Sequence, residues 1–258
     1  RLIVNAGVRM DYFDTGQRFF VNLPNGLTEL RNSPTKIRFS PRIGLSHPFT
    51  SRSLWRFSYG YFFQPPEFRF AYENLQRDLS GDFPRLGNPN LDPQKTVAYE
   101  FGLEHALTDH LRTGLTGSYK KISNLTSISQ VQYPGGSYSI FTNADFGTVR
   151  SIEFFMRRDI SRILSGSLNY TFSNAQGTAS SPQETSSIRP SARNQTVIPI
   201  LNVFPMAFDQ RHTLTCVINI ITPNTWRKRF LGIPLDEWSL SIIGYYGSGM
   251  PYTPTNSL

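Results

Sequence analysis

The chain has 258 residues, one cysteine, a net charge of +8 and 17% charged residues, with aromatics at 14%. That aromatic content excludes a disordered segment, a single thiol excludes an internal disulfide scaffold, and no apolar run reaches the ~18 residues of a transmembrane helix. Lys and Arg are scattered, the densest cluster being Arg227-Lys228-Arg229, so the one-sided basic patch of a nucleic-acid binder is missing and no such partner is expected.

Period two runs through the sequence. In the first segment Leu2, Val4, Ala6, Val8, Met10 and Tyr12 alternate with Asn5, Gly7, Arg9 and Asp11, which predicts a strand with unlike faces. The second sets Ile37, Phe39, Pro41, Ile43 and Leu45 against Lys36, Arg38, Ser40, Arg42 and Gly44. The third sets Trp55, Phe57, Tyr59, Tyr61 and Phe63 against Arg56, Ser58 and Gly60, and the fourth sets Val97, Tyr99, Phe101 and Leu103 against Thr96, Glu100, Gly102 and Glu104. Further strands are predicted over about 111–124, 139–158, 164–173 and 208–221, and a ninth through Trp238, Leu240, Ile242 and Tyr246. No segment carries a helical stripe capped at both ends.

Every second connection is long. Short links fall at 50–53, 108–110 and 159–162, and long ones at 14–35, 64–93, 125–138 and 176–207; the last link, 222–237, is intermediate. Tight turns at one end of a meander and long loops at the other are the pattern of outer-membrane barrels. Tyr, Trp and Phe near strand ends fit the aromatic girdles of such a wall, and the Ser, Thr, Asn, Gly, Arg and Glu of the other face fit a wet lumen. Lipid then supplies the missing apolar partner. The alternative is a soluble all-β propeller or sandwich, for which no fixed blade period is visible.

The same alternation selects candidate site residues. Arg38, Arg42, Arg56, Glu100, Glu104, Arg112 and Glu153 share the polar register, and Arg or Lys facing lipid at midplane costs ~2–4 kcal/mol, so these residues are expected to face the lumen. There they either form cross-strand ion pairs and plug contacts or line a solute path. In the long loop after the third strand, Phe68, Phe70, Tyr72 and Phe83 are candidates for stacking on a ligand, whereas Phe62 and Phe63 read as interface anchors. Asp78-Leu79-Ser80-Gly81-Asp82 offers carboxylates for calcium but lacks the closing Glu of an EF-hand loop, so it reads as a solvated turn. If the eighth strand begins near Phe208, Asp209 and His212 point to opposite faces and cannot act together. Cys216 falls on the apolar register. No catalytic set, metal or cofactor is implied.

Several motifs resemble a known family. Ser40-Pro41-Arg42-Ile43-Gly44, Arg56-Phe57-Ser58-Tyr59-Gly60-Tyr61 through Pro66, Gly87-Asn88-Pro89-Asn90-Leu91-Asp92-Pro93-Gln94 and Tyr99-Glu100-Phe101-Gly102-Leu103 look like the barrel of TonB-dependent receptors, in the family's order. Phe208-Asp209-Gln210-Arg211-His212 and Gly247-Ser248-Gly249-Met250-Pro251-Tyr252 resemble its Oar-like subgroup, which carries an N-terminal carboxypeptidase-regulatory-like domain. The resemblance implies a Gram-negative outer-membrane receptor for a siderophore, oligosaccharide or peptide, partnered by lipid, its own plug domain, the TonB complex and the small solute. A passive porin or a structural, adhesive barrel is the other reading.

Nothing in the chain resembles the plug, the TonB-contacting segment or a terminal aromatic strand. Nine strands in 258 residues give about 29 residues per strand, so a 22-stranded barrel needs roughly 630. The expected fold is therefore an all-β antiparallel transmembrane meander. Residues 1–258 would be a partial outer-membrane β-barrel domain, about nine strands of a 22-stranded barrel.

Overall fold

The computed structural model describes residues 1–22, 28–81, 84–133, 136–159, 163–182, 202–225, 229–230, 233–234 and 237–252. In chain order the elements are β1 (Ile3–Phe13), β2 (Arg18–Asn22), β3 (Thr28–Asn32), β4 (Lys36–Pro48), β5 (Ser53–Gln64), a short helix α1 (Phe68–Tyr72), β6 (Arg85–Leu86), β7 (Gln94–Thr108) and β8 (Leu111–Tyr133). There follow β9 (Gly136–Arg158), β10 (Leu164–Gly177), β11 (Phe204–Pro205), β12 (His212–Ile221), β13 (Arg229–Phe230), β14 (Ile233–Pro234) and β15 (Ser239–Gly247). The main sheet is a single antiparallel path, β1-β4-β5-β7-β8-β9-β10-β12-β15, and each strand pairs with the next long strand along the chain. It is an open wall: β1 and β15 are its two edges.

Register sorts the side chains onto two faces. Rows such as Leu45–Phe57–Phe101 and Leu115–Phe154–Tyr170–Leu214–Tyr246 run across the strands on one face. Rows such as Gly44–Ser58–Glu100–Ser118–Ser151–Ser173 run across the other. The apolar face is uncovered: Val8 is 70% exposed, Ile152 53% and Ile242 50%. Each Å² of such surface forfeits about 25 cal/mol if left in water, so this face requires an apolar surrounding. Tyr59, Tyr99 and Tyr119 form an aromatic row near its upper end, with ring centroids 4.9 and 6.3 Å apart. Cys216 lies on this face, opposite Leu168 and Gly244.

The strands differ from the expected spans in two places. The connection expected over 125–138 is instead the upper half of the β8–β9 hairpin, both strands running 23 residues. Alternation marks a strand only where its faces meet unlike surroundings. Above the apolar band the hydroxyls of Ser127 and Ser129 on β8 meet that of Thr142 on β9, and both strands continue. The pairing is irregular between Ile122 and Thr126, where Asn124 adopts φ 60°. Strand β12 begins at His212 rather than near Phe208. Asp209 precedes it, fully buried, and accepts hydrogen bonds from the Ala175 amide (2.7 Å) and Arg211 Nε (3.2 Å). The opposed-face argument for Asp209 and His212 therefore lapses, and Asp209 is a structural acceptor.

The packed core, Phe70, Leu91, Ile128 and Phe141, lies at the long-loop end of the wall, where Ile128 and Phe141 are paired on β8 and β9. It joins the 65–93 connection to the β8–β9 extension. Short turns close the opposite end; at 49–53 the amides of Phe49 and Thr50 donate to the Ser53 carbonyl.

Candidate functional site

All seven charged residues selected by alternation stand on the polar-face register. Neighbouring strands bring most of them to partners. Arg56 forms an ion pair with Glu104. Arg112 Nη2 lies 3.0 Å from Asp159, which Arg157 also approaches at 3.4 Å. Glu153 accepts a hydrogen bond from Ser151 Oγ at 3.4 Å, and that oxygen is 2.7 Å from Ser118 Oγ. Arg42 holds its guanidinium over the Phe62 ring, 4.4 Å from the centroid. Phe62 therefore belongs to the polar face, which corrects its reading as an interface anchor; Phe63, next along the strand, points the other way.

Arg42, Glu100 and Lys120 make no ion pair among the described residues. They line a trough of about 680 Å³ on the polar face, together with Phe62, Ser58 and Gly60. Gly60 leaves its floor open because it has no side chain: a Cβ there would stand 3.1 Å from Arg42 Cγ.

Above the trough the 65–93 connection forms a strap. It leaves β5 and turns through α1. Arg85 and Leu86 then pair in parallel with Ser139 and Ile140 on the free edge of β9. The strap then returns to β7 through Asn88–Pro93. Asn88 Nδ2 donates to the Phe141 carbonyl (2.8 Å), and the Asp92 amide donates to Asn143 Oδ1 (2.7 Å). From the other side Lys36 Nζ and Arg38 Nη2 reach Asp92 Oδ1 at 3.0 and 2.9 Å. Gly87 is required by close approach, since a Cβ there would stand 2.6 Å from the Glu73 amide nitrogen.

The loop aromatics divide. Phe68 is exposed (68%), and its neighbour Tyr72 is half-buried, its hydroxyl donating to the Thr15 carbonyl at 3.2 Å. Phe70 is 5% exposed and packs on Phe141, ring centroids 4.7 Å apart. A ring enclosed in this core has no free face for a ligand, so Phe70 is a packing residue. Phe83 lies outside the described residues. Asp78 does not stand free for a cation: its Oδ1 accepts from the amide (2.9 Å) and hydroxyl (2.6 Å) of Ser80, which hold the carboxyl below its ordinary pKa. Asp82 also lies outside the described residues.

Lys36, Asp92 and Lys120 were not singled out from the sequence. Lys36 is signalled by the register it shares with Arg38, and Lys120 by its place among the polar positions of β8. Asp92 depends on a fold that brings it to residues more than fifty positions away.

The sheet, its open apolar face and its strapped end can be compared with known proteins. The family model described as TonB dependent receptor-like, beta-barrel, matches residues 1–257. The chain belongs to the TonB-dependent receptor β-barrel family. Solved structures agree at the level of fold. The FrpB iron transporter from Neisseria meningitidis aligns at TM-score 0.54 with 14% identity over 87% of this chain and 29% of that one. The outer membrane transporter YddB from Escherichia coli gives TM-score 0.54 with 8% identity over 84% and 36%. The ferric-catecholate import receptor Fiu from E. coli K12 gives 0.52 with 15% identity over 86% and 30%. The chain thus spans about a third of the length of these structures. No curated protein matches it. For a TonB-dependent receptor barrel the two faces take on meaning, because members of this family are Gram-negative outer-membrane proteins whose walls separate lipid from lumen.

Proposed function

We propose that residues 1–258 are a partial outer-membrane β-barrel domain of a Gram-negative receptor-transporter that admits a scarce solute by energised uptake. The apolar face lies against lipid, and the polar face lines the lumen and meets the plug. The TonB complex supplies the energy, and no chemical step on the solute is involved. The observation that carries this reading is the segregation of the acidic side chains. None of the nine long strands has an Asp or Glu on the apolar register, whereas Asp11, Glu100, Glu104 and Glu153 all occupy the polar one. Arg42, Glu100 and Lys120, unneutralised in their trough, are the proposed solute contacts on the wall, and Phe68 and Tyr72 those in the loop.

The solute belongs to the siderophore, oligosaccharide or peptide class, and the Oar-like motifs favour the latter two. The test is uptake by cells expressing the full-length receptor of which residues 1–258 would be part, offered iron chelates, oligosaccharides and peptides in parallel. Arg42→Ala/Glu100→Gln is expected to lower uptake of one class while surface levels hold, and loss of TonB to abolish it. Undiminished uptake without TonB would overturn the energised reading in favour of a passive porin.

A further inference from the structure

Four cations break the rule of the apolar face: Lys95, Lys121, Arg150 and, at the short-turn end, Arg158. The first three stand on adjacent strands at the long-loop end. Val97 pairs with Lys121, Lys121 with Thr148, and Tyr119 with Arg150. Each cation is therefore diagonal to the next, within reach of one ligand group. None of the three forms an ion pair among the described residues. Lys95 Nζ sits over the Tyr61 ring at 4.2 Å and Arg150 over Tyr119 at 5.8 Å, so both cations crown the tyrosine row.

Immediately below Arg150 the same face carries a groove of about 580 Å³, lined by Phe101, Gly117, Tyr119, Ile152 and Phe172. The groove exists because Gly117 has no side chain. Its φ is not in the left-handed region, and a Cβ added there would meet nothing within 4 Å, so neither conformation nor packing demands glycine. By contrast a Cβ at Gly114 would clash with the Phe155 ring. An apolar channel thus ends at a row of unpaired cations, on a face whose surroundings are acyl chains.

We propose that this groove is a specific site for a phosphorylated lipid. One acyl chain lies over Gly117 between Phe101 and Ile152, and the phosphate sits on Arg150 and Lys121, with Lys95 at its edge. Charge complementarity selects the ligand: the patch holds three cations and no acid, and a phosphate offers several acceptor oxygens to Arg and Lys. The inference rests on the apolar face being the lipid face.

The test uses the full-length receptor proposed above, extracted from membranes, its folded barrel established first by circular dichroism and heat-modifiable migration. Failure at that step would remove the barrel reading itself. Native mass spectrometry then titrates phosphatidic acid against phosphatidylcholine in neutral detergent. Wild type is expected to retain phosphatidic acid selectively. Lys121→Gln/Arg150→Gln is expected to weaken retention roughly 30-fold, at about 1 kcal/mol per basic residue near a lipid headgroup. Gly117→Leu is expected to weaken it with all three cations intact. Equal retention of both lipids by a folded wild type would overturn the proposal. So would unchanged retention in both variants, or displacement of the lipid by millimolar inorganic phosphate, which would make the patch a free-anion site.

Discussion

Asp92→Asn removes one negative charge from the point where the strap is held to the wall. Lys36 is 5% exposed and its ammonium contacts Asp92 Oδ1, the Asn90 carbonyl and Asn90 Oδ1. Breaking a buried ion pair by deleting one partner costs ~3–5 kcal/mol. Here the Asp92 side chain is 45% exposed and Lys36 retains its Asn90 contacts, so a figure of about 2 kcal/mol, within the range for hydrogen bonds to charged groups, is expected. That figure is about a 30-fold rise in the opening equilibrium of the strap.

Hydrogen exchange reads it at the amides of Gly87, Asn88 and Leu91, which donate to the carbonyls of Glu73, Phe70 and Asn88. These should exchange about 30-fold faster, while the β5 and β7 amides keep their protection. The double variant Lys36→Met/Asp92→Asn should recover most of the loss, because no buried cation is then left unpaired. Wild-type exchange at those amides in Asp92→Asn, or an equal rise throughout β5 and β7, would refute the reasoning.

Other outcomes follow from the same geometry. Phe141→Ala removes a fully buried ring from the strap core; it should cost about 3–5 kcal/mol and expose 65–93 to limited proteolysis. Ile152→Arg places a cation on the apolar face and should destabilise the inserted protein by up to ~2–4 kcal/mol in denaturant titrations from lipid vesicles; Ser151→Arg, one residue away on the polar face, should change little. The Asp78 carboxyl is held below its ordinary value of 3.8 by the Ser80 hydroxyl and amide. Its contribution to the 78–80 turn is complete above the unfolded value and is lost only as pH falls through the lower folded one; a carbon-detected titration placing Asp78 at or above 3.8 would contradict this. Expressed alone, residues 1–258 leave the outer edges of β1 and β15 without a strand partner among the described residues and should aggregate in detergent; a monodisperse closed monomer would refute that.

The wall was legible in the sequence because lipid and lumen impose opposite demands on successive residues. Ile37 to Leu45 and Trp55 to Tyr61 show it, and the charged positions came out on a common face for the same reason. Legibility ended where that contrast ended. Above the apolar band Ile128 enters the strap core while Ser127 and Ser129 meet Thr142, so no lipid-facing apolar row marks the β8–β9 extension and its polar residues resemble a loop. The loop aromatics carried a different ambiguity: Phe68 and Phe70 are two residues apart in a short helix, and composition cannot tell which enters a core. The contacts of Lys36 with Asp92 and of Leu86 with Ile140 are non-local, and no local pattern announces them.

The strap has a mechanical consequence. It is tied to β4 by Lys36 and Arg38 and to β9 by Arg85 and Leu86. It therefore subtends an arc of five strands, β4-β5-β7-β8-β9, about 19 Å of wall at ~4.8 Å per strand spacing. A hydrogen-bonded sheet resists stretching but bends easily about its strand axes. A chord fixed at both ends of the arc sets the local radius, so this sector of the rim can ovalise only after the Asp92 clasp or the Arg85–Leu86 pairing lets go.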